Sequence, residues 1–171
     1  MSYSTRLREH AKKIGRDTRI ALVGAGQMGR GFGNQLGHMD GISLSVVIDI
    51  DPERIKLVYG DLGISDIVFS DDVAVLSKAI LDGKHTGTAN SEIIAQLPVD
   101  VVIEGTGIPE IGARITHSSL LAKKDVAVLN VEMDVTIGPL LHKIAQDNGV
   151  VYAVCHGDEP VEAKVLVDYA R

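Results

Sequence analysis

Gly24, Gly26, Gly29 and Asp49 have types and spacing that could hold a phosphorylated nucleotide. The glycines follow the apolar run Ile20-Ala21-Leu22-Val23 and lead into a helical stretch over 27–36. They fit the G-x-G-x-x-G pattern, in which each glycine has a separate task. Gly24 lets the chain turn sharply at a strand end. Gly26, without a Cβ, lets a pyrophosphate approach the backbone. Gly29 lets the helix pack closely on the strand. The helix N-terminus, with the backbone of Gln27 and Met28, then turns unpaired N–H groups and a positive dipole end toward the phosphates.

The pattern alone also describes an ordinary glycine turn, but its surroundings meet the further requirements. A second apolar stretch, Leu44-Ser45-Val46-Val47-Ile48, ends in Asp49, 20 positions after Gly29. That matches the spacing of about 20 residues for an acid that accepts hydrogen bonds from ribose hydroxyls. A carboxylate there repels a 2′-phosphate, so NAD is expected in preference to NADP. Asp51, before Pro52 and Glu53, reads as a helix N-cap instead. Arg54 reads as an exposed helix charge rather than a phosphate ligand.

These residues need strands and helices to position them, and the rest of the chain supplies both. The stretch 4–15 reads as an amphipathic helix with Leu7, Ala11 and Ile14 on one face and Gly15 at its end. A short strand is expected over 64–69, then a helix capped by Asp71 or Asp72 and a turn-rich loop over 83–88. His85 reads as a solvated residue of that loop, and Ser91 as the cap of a short helix. A buried strand, Val101-Val102-Ile103-Glu104, leads into the small turn Gly105-Thr106-Gly107. Thr106 and Gly107 are candidates for the nicotinamide half of the cofactor, the alternative being a turn kept small for packing. After a helix to about Lys123, the strand 125–130 ends in Asn130-Val131-Glu132-Met133-Asp134. Asn130 is expected near the nicotinamide, and Glu132 is the one candidate on the substrate side. Capping of the next helix, with Gly138 and Pro139 in its first turn, explains some of these polar residues without a site. A last strand over 150–154, a turn at Gly157-Asp158-Glu159-Pro160 and a final helix complete the chain. Alternating strands and helices with short connections imply an α/β doubly wound parallel sheet, a Rossmann-type dinucleotide-binding domain spanning 1–171.

Composition narrows the function further. The chain has 171 residues, 45% hydrophobic and 23% charged, with a net charge of −6. Neither nucleic acid nor an anionic membrane surface is an expected partner of such a charge balance. No apolar run approaches the roughly 20 residues that span a bilayer. The single cysteine, Cys155, cannot form an internal disulfide, which fits a cytoplasmic protein. It sits in an apolar strand run and reads as a small buried side chain rather than a nucleophile. No Cys, His and acid cluster suggests a metal site, and no residue stands out as a catalytic acid or base.

Longer motifs resemble a known family. Gly24-Ala25-Gly26-Gln27-Met28-Gly29, Gly105-Thr106-Gly107-Ile108-Pro109-Glu110, the stretch from Asn130 to Pro139 and Gly157-Asp158-Glu159-Pro160 are similar to the homoserine dehydrogenase-like oxidoreductases. That family includes 1-deoxyxylulose-5-phosphate reductoisomerase-like enzymes. The resemblance implies a nicotinamide-dinucleotide domain, the N-terminal part of a longer oxidoreductase that also binds a small-molecule substrate. Val131 follows Asn130 where authentic homoserine dehydrogenases carry lysine, which counts against homoserine as the substrate. Family members that use NADP are expected to have basic residues after the second strand, which Asp49-Ile50-Asp51 does not match. A free-standing, non-catalytic NAD(H)-binding module is the alternative, and a homo-oligomer is possible in either case.

Overall fold

The computed structural model describes residues 3–155 and 159–170. Within these, seven parallel strands form one sheet in the order β3-β4-β2-β1-β5-β6-β7. The strands are β1 (Thr18–Val23), β2 (Ile42–Ile48), β3 (Ile67–Phe69), β4 (His85–Thr88), β5 (Val101–Glu104), β6 (Asp125–Val128) and β7 (Tyr152–Val154). The helices are α1 (Tyr3–Ile14), α2 (Gln27–Gly37), α3 (Pro52–Asp61), α4 (Val73–Leu81), α5 (Pro109–Leu121), α6 (Val131–Asn148) and α7 (Glu159–Ala170), with a 3-10 helix at Ser91–Gln96.

The period-2 alternation of a strand buried on both faces explains the two layers. In β1, Ala21 and Val23 face one core, with Leu76, Ile80, Ile115, Leu120 and Met133 from the helices on that side. Ile20 and Leu22 face the other, with Leu36, Ile55, Val58 and Tyr59. Each fully buried aliphatic side chain contributes about 1.5–3 kcal/mol, so both faces of the sheet carry real stabilisation. In β2 the alternation slips by one residue. Ile20 pairs with Leu44 but Ala21 pairs with Val46, and the bulge at Ser45 moves Val46 and Ile48 to the first core while Leu44 and Val47 stay in the second.

The stretch 83–88 is not the loop its composition suggests. His85–Thr88 is an interior strand, paired in parallel with both β2 and β3. Its sequence, His-Thr-Gly-Thr, hides this because hydroxyls replace apolar side chains. Thr86 donates to the Ser45 carbonyl at 2.9 Å, and Thr88 donates to Asp71, so the buried hydroxyls are satisfied. Gly87 has no alternative, since a Cβ there would stand 2.8 Å from the Phe69 ring and 2.9 Å from Ile55. His85 is accordingly half-buried against Tyr59, its Nδ1 3.0 Å from the Leu44 carbonyl, and not a solvated loop residue.

Other boundaries also move. The third strand is confined to Ile67–Phe69, and Asn90 rather than Ser91 caps the 3-10 helix, while Asp72, one of the two expected caps, caps α4. Pro139 lies inside α6, which starts at Val131, and not in a first turn. Cys155 follows β7 and is half-buried, its backbone N–H bonded to the Val128 carbonyl; burial pushes its thiol pKa up. Gly157 and Asp158 lie outside the described residues. No helix among the described residues is long and apolar enough to cross a membrane.

Candidate functional site

The strand order reverses between β1 and β5. From β1 the chain winds outward through β2, and from β5 outward through β6. A doubly wound sheet opens a crevice at such a point, beyond the carboxyl ends of the strands. Two glycine turns meet there. Gly24 has φ +93, and a Cβ on it would stand 2.5 Å from the Gly105 carbonyl oxygen and 2.8 Å from the Thr106 nitrogen. No other residue type fits that position. Gly29 is equally constrained, because a Cβ would stand 1.9 Å from the Gly24 carbonyl oxygen. This is the close helix-on-turn packing expected of the third glycine.

Gly26 differs from both. It has an extended conformation (φ −66, ψ −169), and among the described residues nothing lies within 4 Å of where its Cβ would be. It is the N-cap of α2, and no side chain of the described residues caps that helix. The first N–H groups of α2, at Gln27 and Met28, are thus without a side-chain acceptor at an open, glycine-lined edge. Met28 is 68% exposed at this edge.

Across the turn, Asp49 is 9% exposed and anchored at both oxygens. Oδ2 accepts the Ala25 N–H at 2.7 Å, and Oδ1 accepts the Asp51 N–H at 2.9 Å. A carboxylate oxygen can accept two hydrogen bonds, so each retains one acceptor position. Gly26, Asp49, Arg54, Ser91 and Thr106 line one cleft of about 200 Å³, together with Ile50, Ile108 and Ile111. A wider groove of about 550 Å³ adjoins it, lined by Gln27, Arg30, Asn34 and Leu57, and the two share Gly26 and Arg54. Arg30 is engaged by Asp61 at 2.5 and 2.7 Å, whereas Arg54 is 3.6 Å from Asp51.

The structure therefore brings Gly24, Gly26, Asp49 and Thr106 to one cleft, with Gln27 in the adjoining groove. Gly107 follows with φ +69 at the exposed end of its turn, outside the cleft lining. Asn130 has a different position from the one expected. It is 1% exposed, and its Oδ1 accepts the Met133 N–H at 3.2 Å as the N-cap of α6. It is a buried cap, not a residue facing the cleft. Glu132 is exposed in the first turn of α6, and Asp134 accepts the Tyr152 hydroxyl at 2.7 Å. Among the described residues no group of three His, Cys, Asp or Glu could hold a metal ion.

Sequence reasoning set Arg54 aside as an exposed helix charge, gave Ser91 only a capping role and passed over Glu104. Ser91 follows the strand that composition concealed, so its place beside the cleft was hidden with it. Glu104 carried a visible signal: a lone acid in the apolar run Val101-Val102-Ile103. Arg54 was visible too, but only the shared wall of the two cavities gives it a place.

No family model and no curated protein matches this sequence. Solved structures do share the fold. One is the biliverdin reductase of Synechocystis sp. PCC 6803 in complex with biliverdin and NADP+, at 16% identity and a TM-score of 0.59, aligned over 81% of this chain and 38% of its own. Another is the scyllo-inositol dehydrogenase of Lactobacillus casei with bound NAD(H) and scyllo-inositol, at 15% identity and a TM-score of 0.56, aligned over 90% of this chain and 42% of its own. This chain thus spans about two fifths of each. Both are oxidoreductases with a nicotinamide dinucleotide; one holds NADP+ and the other NAD(H). Neither is a homoserine dehydrogenase.

Proposed function

We propose that this chain is the dinucleotide-binding domain of an NAD(P)-dependent oxidoreductase. The observation that carries the reading is Gly26: a cap without a side chain, with empty space at its Cβ position, on an uncapped helix N-terminus opposite the anchored carboxylate of Asp49. That arrangement suits a pyrophosphate on the backbone N–H groups of Gly26, Gln27 and Met28, with the adenosine ribose on Asp49. Gly24 and Gly29 shape the turn. Thr106 and Gly107 would border the nicotinamide, and Asn130 would act behind them by fixing the start of α6. When bound, the nicotinamide supplies the hydride chemistry. The protein's own residues bind, orient and exclude water.

NAD is the preferred cofactor in this reading, because the acceptor positions left on Asp49 suit two ribose hydroxyls and disfavour a 2′-phosphate. The finer affinity is with homoserine dehydrogenase-like oxidoreductases and rests on the sequence motifs. The substrate would be a small molecule bound with the help of chain beyond this domain. Chemical-shift mapping with NAD tests the proposal: the largest changes should fall on the amides of Ala25, Gly26, Gln27, Met28 and Thr106. Changes confined to other parts of the sheet would contradict it.

A further inference from the structure

Glu104 ends β5 inside the protein, with 0% of its surface exposed. Its Oε1 accepts two hydrogen bonds from one residue, the Thr106 N–H at 2.8 Å and the Thr106 hydroxyl at 2.5 Å. The Thr106 hydroxyl also accepts from the Ile108 N–H at 3.4 Å. Its one proton is therefore committed to Glu104, and Thr106 has no hydroxyl hydrogen to offer a ligand. Behind Glu104, its Oε2 and the Asn130 Nδ2 have no hydrogen-bond partner among the described residues. Both crowd Gly112 of α5, where a Cβ would stand 2.9 Å from Oε2 and 2.8 Å from Nδ2. A buried carboxyl group that leaves one oxygen unpaired is costly to keep. An apolar residue at this strand end would avoid that cost but could not hold Thr106.

We infer that Glu104 is a positioning residue that acts through Thr106, fixing the Gly105-Thr106-Gly107 turn against which the nicotinamide half of the dinucleotide rests. The inference rests on the dinucleotide reading above and adds a residue that never touches the ligand. It makes a prediction that simple stabilisation does not. Loss of Glu104 should weaken ligands that carry the nicotinamide and spare ligands that lack it.

The test compares NADH with ADP-ribose, which keeps the adenosine, both phosphates and both riboses but has no nicotinamide ring. E104A should lower NADH affinity about tenfold while leaving ADP-ribose affinity unchanged, a relative loss of about 1.4 kcal/mol. E104Q, whose amide oxygen still accepts from Thr106, should keep the ratio within about twofold of wild type. Where E104A does not fold by circular dichroism, T106V serves in its place: it removes the hydroxyl donor and should shift the same ratio in the same direction. Equal loss of both ligands, or an unchanged ratio in the folded variant, would overturn the positioning role alone. Failure of the wild-type chain to bind ADP-ribose would overturn the dinucleotide reading beneath it.

Discussion

The Asp49 carboxylate accepts the Ala25 backbone N–H at 2.7 Å, so the end of one strand braces the glycine turn at the end of its neighbour. One side chain thereby shapes the phosphate loop and, in the proposed reading, receives the ribose. Removing it should affect both. D49A is expected to weaken NAD binding by at least about tenfold, the worth of hydrogen bonds to a charged group. It should also narrow the gap between NAD and NADP. Isothermal titration with each dinucleotide checks this, and unchanged affinity for both would remove Asp49 from the site.

The three glycines of the turn should separate by mechanism. Gly26 has an ordinary conformation and empty space at its Cβ position, so G26A should fold with stability within about 0.5 kcal/mol of wild type. Its methyl would occupy the space proposed for the pyrophosphate, and dinucleotide binding should be lost. G29A would drive a Cβ into the Gly24 carbonyl and should destabilise the fold by about 3 kcal/mol or more. Urea denaturation and ligand titration on the two variants test the split.

The contrast between the turn and β4 shows what the sequence made legible. The turn was readable because its glycines, the apolar run before them and Asp49 each carry a local signal at a fixed spacing. The strand His85–Thr88 was not, because Thr86 and Thr88 are buried by hydrogen bonds to Ser45 and Asp71, partners 41 and 17 positions away. No local pattern reports a bond of that kind. Asn130 is a similar case. Its place at a strand end was readable, but whether its side chain faces the cleft or caps the following helix depends on where α6 begins. The acid at 104 was visible and unused, since its meaning lies in its contact with a turn two residues ahead.

Acid should weaken the joint between the start of β1 and β5. Burial alone would raise the pKa of Asp100, but the Arg16 guanidinium and the Arg19 backbone N–H outweigh it and hold the carboxyl below its usual range. A carboxylate with a depressed folded pKa contributes stability above its unfolded pKa and loses it as pH falls through the folded value. D100N should therefore be less stable than wild type at pH 7, with the gap closing as pH drops below about 4. Urea midpoints across that range check it; a constant gap would contradict it.

At the opposite end of the sheet from the cleft, Lys124 is buried and its Nζ donates to the carbonyls of Leu97 at 2.6 Å and Val99 at 3.2 Å. Desolvation lowers its pKa, partly offset by Asp100. K124M keeps the stem's packing but leaves two carbonyls without this donor, so a loss of about 1–3 kcal/mol is expected. Ligand affinity should not change, because the residue lies far from the crevice. A thermal melt and an NAD titration on the same sample separate the two effects.

In the proposed reading this crevice binds a nicotinamide dinucleotide. Isothermal titration of the wild-type chain with NAD, and separately with NADP, tests it most directly. Saturable binding of one dinucleotide per chain is expected, tighter for NAD than for NADP. Tighter binding of NADP would contradict the role given to Asp49, and binding of neither would contradict the function proposed for the chain.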